Sequence, residues 1–193
     1  MIYLNQLDYR HIHYEHNVEH GGVPAERRNI ATSGCGLCSA CMVVDQLTTH
    51  QLSLDECVRL VYESKANILV GTRLNRLGPA VAEKFGLTYE NSNDIEDVLR
   101  CLRDGGKVII NVGGDHDDYV GLYSHGGHYI TAISYDGNEL CILDPSYKEN
   151  KYDFEPHKGK VRVDYPFTYC KPQYIVDDTR NRDPAFHLFK RKS

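Results

Sequence analysis

Residues 128–143, HYITAISYDGNELCIL, contain two apolar segments, His128–Ser134 and Glu139–Leu143, that are joined by a short polar connection. β-Branched and aromatic composition of this kind is typical of strands. Asp136-Gly137 between them is a strong signal for a hairpin turn. Upstream, Lys107–Val112 (KVIINV) has the same character and predicts a central strand. The second half of the chain is therefore expected to form an antiparallel sheet.

The first half has the apolar spacing of amphipathic helices. Ser53 and Glu56 form a capping box, and Gly86 and Gly105-Gly106 are typical C-terminal stops. Helices are predicted over 35–47, from residue 53 onward, over about 75–84 and over about 93–103. Helices followed by strands, with further strands expected at 161–163 and after residue 169, indicate the α+β class.

The length of 193 residues fits a single domain, and no repeat or linker divides it. Within that domain the pattern predicts a helical lobe over about 33–105 and a sheet lobe over about 106–176. Residues 1–14 are predicted to form an extended arm or short strand, and residues 15–32 a loop. The basic residues near the C-terminus predict a solvated tail over about 180–193.

Charge and composition exclude several classes of protein. The net charge is −5, and the basic residues are scattered rather than arranged in the dense stripe of a nucleic-acid-binding protein. No apolar run approaches the ~20 residues that a membrane span needs, and no signal peptide is evident. Seven cysteines, an odd number, favour reduced thiols in the cytoplasm. Nothing in the sequence indicates the oligomeric state.

Cys35 lies between two glycines at the start of the first predicted helix. The positive end of a helix dipole stabilises a thiolate, which is the nucleophilic form of cysteine. Small flanking residues also permit close approach of a substrate. Cys35 is therefore a candidate nucleophile, although a buried structural cysteine would show the same local pattern.

His128 and Asp144 are placed together by the predicted hairpin. With a turn at 136-137, both residues lie at the same end of two adjacent antiparallel strands. An aspartate there can accept a hydrogen bond from one ring nitrogen and leave the other to face a thiol. The alternative is a surface histidine followed by an ordinary Asp-Pro turn.

Other clusters are weighed as metal or substrate sites. Three cysteines lie three residues apart, at Cys35, Cys38 and Cys41. On a helix, side chains with this spacing point in progressively different directions and converge poorly on one ion. Cys38 could instead pair with Cys35 on oxidation. A histidine-rich segment (His11, His13, His16 and His20) could bind a metal or form an exposed arm. The loop Asp115–Asp118 could border a cleft and select basic substrates, hold Ca²⁺, or be solvated. Tyr119, Tyr123 and Tyr129 are expected to flank the cleft. We predict no cofactor and no metal.

The sequence resembles the papain-like cysteine peptidases of the bacteriocin-processing, double-glycine leader (C39-like) family, in its stand-alone branch. The resemblance spans residues 3–146 and is carried by these blocks: Asn5–Tyr9, Ser33–Gly36 with Ala40–Val44, Gly71-Thr72 with Phe85–Leu87, Gly127–Ile130, and Asp144-Pro145. Gly34 stands where the transporter-linked members usually carry an aspartate.

The resemblance implies a papain-like α+β fold and a role for four residues. Cys35 would be the nucleophile, His128 the general base and acid, Asp144 the orienting carboxylate and Gln6 the oxyanion-hole donor. The implied activity is cleavage of a peptide or isopeptide bond in a peptide or protein substrate, through an acyl-enzyme. Acyl transfer by the same triad and a non-catalytic peptide-binding module remain the alternatives.

Overall fold

The computed structural model describes residues 1–192. Its helices are α1 (Ile30–Ser33), α2 (Cys35–Leu47), α3 (Leu54–Glu63), α4 (Leu74–Phe85), α5 (Ile95–Arg103) and α6 (Pro172–Thr179). Its strands are β1 (Leu87–Ser92), β2 (Lys107–Val112), β3 (His128–Tyr135), β4 (Leu140–Leu143), β5 (Val161–Asp164), β6 (Phe167–Cys170) and β7 (Phe186–Arg191). Short 3-10 turns occur at Gln6–Asp8, Val18–His20 and Ala25–Arg27.

The seven strands form one sheet in the order β1-β7-β2-β3-β4-β6-β5. Every neighbouring pair in this sheet is antiparallel. Helices combined with an antiparallel sheet confirm the predicted α+β class. The β3–β4 hairpin turns at Asp136, as expected, and its register pairs Thr131 with Leu143.

The centre of the sheet is buried on both faces, which explains the apolar run Val108–Ile110 within β2. Successive strand residues point to opposite faces. Ile109 packs with helices α2, α3 and α4 in one core cluster, whereas Val108 and Ile110 pack with helix α5 in the other. A strand covered on both sides reads as a continuous apolar run rather than an alternating one.

Within the predicted helical lobe over 33–105, helices α2, α3 and α4 pack in one core cluster, but the prediction is wrong for the last part of that range. Helix α3 has the predicted capping box at Ser53 and Glu56. Helix α5, in contrast, packs on the opposite face of the sheet, and β1 (Leu87–Ser92) is an edge strand of the sheet. Strand β1 forms because it pairs with β7, about a hundred residues later in the chain.

The prediction of a solvated tail over 180–193 is also wrong for residues 186–191, and Ser193 lies outside the described residues. Residues 186–191 form β7, which is paired on both sides, with β1 and with β2. Phe186, Leu188 and Phe189 are buried in the two cores, and this apolar burial outweighs the basic character of Lys190 and Arg191. Arg191 donates from Nε to the carbonyl of Leu47 at 2.8 Å.

The N-terminal segment is neither a free arm nor a plain loop. Tyr14 is fully buried, and its hydroxyl shares a 2.8 Å hydrogen bond with Thr72. Near the start of the chain, the backbone N–H of Gln6 donates to the carbonyl of Pro145 at 2.7 Å. The segment therefore crosses from the helices to the end of the β3–β4 hairpin.

Candidate active site

Cys35 begins helix α2 and is only half-buried, whereas the other six cysteines are buried. Glycines flank it because there is no room for larger residues. A Cβ at Gly34 would lie 2.6 Å from the carbonyl oxygen of Ile30, and one at Gly36 would lie 2.8 Å from a Leu74 methyl and 3.0 Å from the Cβ of Thr72. This close packing presents the thiol at the positive end of the helix.

His128 is the first residue of β3, and Asp144 directly follows β4. Their side chains meet as the hairpin predicts: His128 Nε2 lies 2.8 Å from Asp144 Oδ1. The His128 side chain is 5% exposed and that of Asp144 is 0% exposed. A buried carboxylate on one ring nitrogen fixes the orientation of the imidazole and leaves Nδ1 free to face another group.

The Asp144 carboxylate receives hydrogen bonds at both oxygens from residues that the sequence did not reveal. Oδ1 accepts from the backbone N–H of Ser146 at 2.9 Å. Oδ2 accepts from the Tyr152 hydroxyl at 2.6 Å and from Lys151 Nζ at 2.5 Å. Burial tends to raise the pKa of Asp144, but the Lys151 charge and the bond to His128 hold it well below its usual range. The carboxylate is therefore ionised.

Ser146 also approaches the imidazole. Its hydroxyl lies 3.0 Å from His128 Nε2 and 2.9 Å from Lys151 Nζ. Ser146, Lys151 and Tyr152 all lie in the connection after Asp144-Pro145. This connection has no regular secondary structure over these residues, so sequence periodicity provided no signal for them.

Cys35 and His128 change each other's ionisation. Burial tends to raise the pKa of the Cys35 thiol, but hydrogen bonding to His128, the charge of that ring, and the backbone at Tyr129 and Gly36 together lower it. Burial tends to lower the pKa of His128, but Asp144 and Cys35 raise it to about 9. Both shifts favour a thiolate beside an imidazolium at neutral pH.

Gln6 joins these residues from the N-terminal segment. Its amide Nε2 donates to the carbonyl of Ala31 at 3.0 Å, which leaves one of the two amide hydrogens available. Gln6 is buried, and its Oε1 has no hydrogen-bond partner among residues 1–192. No periodic pattern marks Gln6, so only the family resemblance pointed to it.

A cavity of about 770 Å³ opens over the site. Gln6, Cys35 and His128 all line it, and Asp144 lies behind His128. All four predicted site residues are thus in one place. Of the three tyrosines expected at the cleft, Tyr129 lines it, whereas Tyr123 is buried in the core and the Tyr119 hydroxyl bonds to Asp178.

The acidic loop Asp115–Asp118 contributes nothing to the wall of this cavity. Asp115 instead bonds to His125 and to the backbone N–H of Gly121, at 2.9 Å and 2.8 Å. Of the alternatives left open for this loop, bordering the cleft is therefore wrong.

The candidate metal and redox positions are placed as follows. Within residues 1–192, no group of three or more His, Cys, Asp or Glu side chains is arranged to hold a metal ion. In the histidine-rich segment, the His13 ring lies 3.1 Å from the Glu15 carboxylate. Cys38 is buried, and burial raises its pKa well above the usual value. No helix in the described part of the chain is long and apolar enough to cross a bilayer.

No family model matches the sequence, and no curated protein matches it. Solved structures do match in fold. A Bacillus anthracis protein described as a C39-like peptidase superposes with a TM-score of 0.55 at 14% identity, over 83% of this chain and 90% of that one. The peptidase domain of Streptococcus ComA, a bi-functional ABC transporter involved in a quorum-sensing pathway, gives a TM-score of 0.52 at 16% identity, over 83% and 93%. The chain therefore has the fold of C39-like peptidase domains.

Proposed function

We propose that the protein is a cysteine hydrolase that cleaves a peptide or isopeptide bond through an acyl-enzyme formed on Cys35. One observation carries the proposal: a half-buried thiol with a lowered pKa, at a helix N-terminus, shares an open cavity with an imidazole that a buried aspartate orients. This is the arrangement that nucleophile, base and orienting group require.

In the first step the Cys35 thiolate attacks the carbonyl carbon, and a C–S bond forms. The carbonyl oxygen becomes negative. The free amide hydrogen of Gln6 and the backbone N–H of Cys35 are the donors available to it. Removing one such donor typically lowers the rate by about 10²–10³.

The imidazolium of His128 then protonates the departing nitrogen as the C–N bond breaks, which leaves the acyl group on sulfur. Water attacks this thioester while His128 accepts its proton, the C–S bond breaks, and the free acid leaves. Asp144 stays ionised throughout and keeps the ring in place.

The direct test is Cys35→Ala against Cys38→Ala, a matched variant at a buried thiol of the same helix. Wild-type protein and Cys38→Ala should react with a thiol-directed electrophile and cleave susceptible peptides in a mixed library. Cys35→Ala should do neither. Labelling or cleavage that persists in Cys35→Ala contradicts the proposal.

The same experiment separates the alternatives when a primary amine is added. Free acid as product indicates hydrolysis, and a new amide indicates acyl transfer. A thiol of ordinary pKa with no turnover would indicate a non-catalytic peptide-binding module. All seven cysteines are free in the structure, which supports a reducing compartment, and we propose the cytoplasm.

A further inference from the structure

The wall of the cavity over Cys35 carries basic side chains and no carboxylate. Arg27, Arg73 and Arg182 line it, and no aspartate or glutamate does. This is unexpected in a protein with a net charge of −5 and 27 acidic residues. The charged side chains of the cavity wall are therefore opposite in sign to the net charge of the protein.

Arg182 is held beside the proposed catalytic histidine. Its guanidinium donates to the carbonyls of Val112 and Gly113, at 3.3 Å and 3.1 Å. A Cβ at Gly127, the residue before His128, would lie 2.4 Å from one of its nitrogens. These two backbone carbonyls thus hold Arg182 in place. The rest of its guanidinium is available to a ligand in the cavity.

Arg73 approaches from the other wall, directly after Thr72, which packs against Gly36. Both guanidiniums act on the phenol of Tyr129, which also lines the cavity. Burial raises the pKa of Tyr129 to about 12, and the charges of Arg182 and Arg73 both oppose that rise. The two arginines and Tyr129 thus line the same cavity as Cys35.

None of the three arginines has a carboxylate partner within residues 1–192. The arginines that do pair with an acidic side chain, Arg28, Arg100 and Arg162, all lie outside the cavity wall. Guanidiniums that line a cleft without a counter-charge are suited to bind a carboxylate supplied from outside.

We propose that the substrate of this site is an acidic peptide segment, with an aspartate or glutamate within a few residues of the bond that Cys35 attacks. This inference rests on the proposed function and specifies its substrate class. Arg73 and Arg182 bind the side-chain carboxylate, and Arg27 adds to the attraction from the outer wall.

The test measures how well peptides protect Cys35 from alkylation by iodoacetamide. This reagent is uncharged, and the measurement does not require the protein to cleave the peptide. Each of three octapeptides alternates Gly or Ser with one test residue, which is Glu in the first, Gln in the second and Lys in the third. Every peptide bond therefore has a test residue next to it. At low salt, the Glu peptide should halve the alkylation rate at a concentration about tenfold lower than the Lys peptide. The concentration of the Gln peptide that halves the rate should lie between those of the other two.

The variants are chosen so that folding is not at risk. Arg73 and Arg27 are exposed, and neither side chain forms a hydrogen bond within residues 1–192. Arg73→Gln and the double variant Arg27→Gln/Arg73→Gln should therefore remove most of the difference between the Glu and Lys peptides. Arg73→Lys should retain part of it. Arg59→Gln removes one exposed positive charge from α3, outside the cavity wall, and should leave the difference unchanged.

The outcomes separate this inference from the proposed function. If Cys35 does not react with iodoacetamide, the proposed function fails and the substrate class fails with it. Two results would overturn the acidic-substrate inference alone while Cys35 still reacts. One is that the Glu peptide protects Cys35 no better than the Lys peptide; the other is that its advantage over the Lys peptide is as large in the arginine variants as in wild type.

Discussion

At the scale of single residues, the site depends on the opposing effects of burial and charge on His128. Burial alone tends to lower the pKa of an imidazole, whereas the adjacent carboxylate raises it. Burial is the largest single effect here, but Asp144, which is itself buried and lies 2.8 Å away, and Cys35 together outweigh it and raise the pKa of His128. The pair therefore sets the pH range in which a thiolate and an imidazolium coexist.

The pH dependence of kcat/KM should be bell-shaped. The acidic limb reports ionisation of Cys35, whose pKa is lowered. The basic limb reports loss of the His128 proton and should lie near pH 9. A profile that still rises above pH 9 would contradict a role for protonated His128.

Asp144→Asn should move the basic limb to lower pH, because the carboxylate that raises the His128 pKa is gone and burial then dominates. A shift of about one unit or more is expected for the loss of a buried ionic partner. Lys151→Met should move the same limb upward, since removal of the ammonium leaves the charge of Asp144 uncompensated. Shifts in the same direction for both variants would contradict this electrostatic assignment.

The stability effect of His128 has a defined sign. Because its pKa rises on folding to about 9, the protonated ring stabilises the native state fully below its unfolded pKa of about 6.5. That contribution is lost as pH rises through about 9. Urea denaturation should show that the free energy of unfolding of wild type, relative to that of His128→Gln, decreases as the pH is raised from 6.5 to 9.

At the scale of secondary-structure elements, local signals located most helices and the central strands. Helix α2 begins and ends at the predicted residues, and the β3–β4 hairpin brings His128 to Asp144 as its turn predicts. These elements are specified by periodicity, caps and turn residues close in sequence. Strands β1 and β7 are not, because they form by pairing with each other across about a hundred residues of chain.

The entry to helix α2 should be intolerant of a single methyl group. Gly36→Ala places a Cβ against Leu74 and Thr72, and such overpacking typically costs about 1–3 kcal/mol. Gly126→Ala is the matched control, because no heavy atom lies within 4 Å of its Cβ position. Equal thermal midpoints for the two variants would show that the close approach at Gly36 is unimportant.

At the scale of the whole molecule, the chain termini complete both the site and the sheet. The N-terminal segment delivers Gln6 to the cavity, and the C-terminal segment provides β7 between β1 and β2. Both contributions depend on contacts between residues about a hundred or more positions apart in the chain. Composition and periodicity do not report such contacts, so only the family resemblance indicated Gln6 and nothing indicated β7.

Truncation after Pro184 should abolish cooperative unfolding, because it removes the buried side chains of Phe186, Leu188 and Phe189. At roughly 1.5–3 kcal/mol for each buried side chain, the loss approaches the whole stability of an ordinary domain. Truncation after Arg191 is the control and should unfold like the full chain. A truncation after Pro184 that still melts cooperatively would show that β7 is dispensable.

The ionisation of the Cys35 thiol tests the central claim most directly. The rate of alkylation by iodoacetamide, followed against pH on intact protein and compared with Cys35→Ala, reports the thiolate of the one cysteine that is not buried. One thiol should react, with a midpoint below the ordinary cysteine pKa of about 8.5, and His128→Gln should raise that midpoint. A midpoint at or above about 8.5 that His128→Gln leaves unchanged would contradict an activated nucleophile at this site.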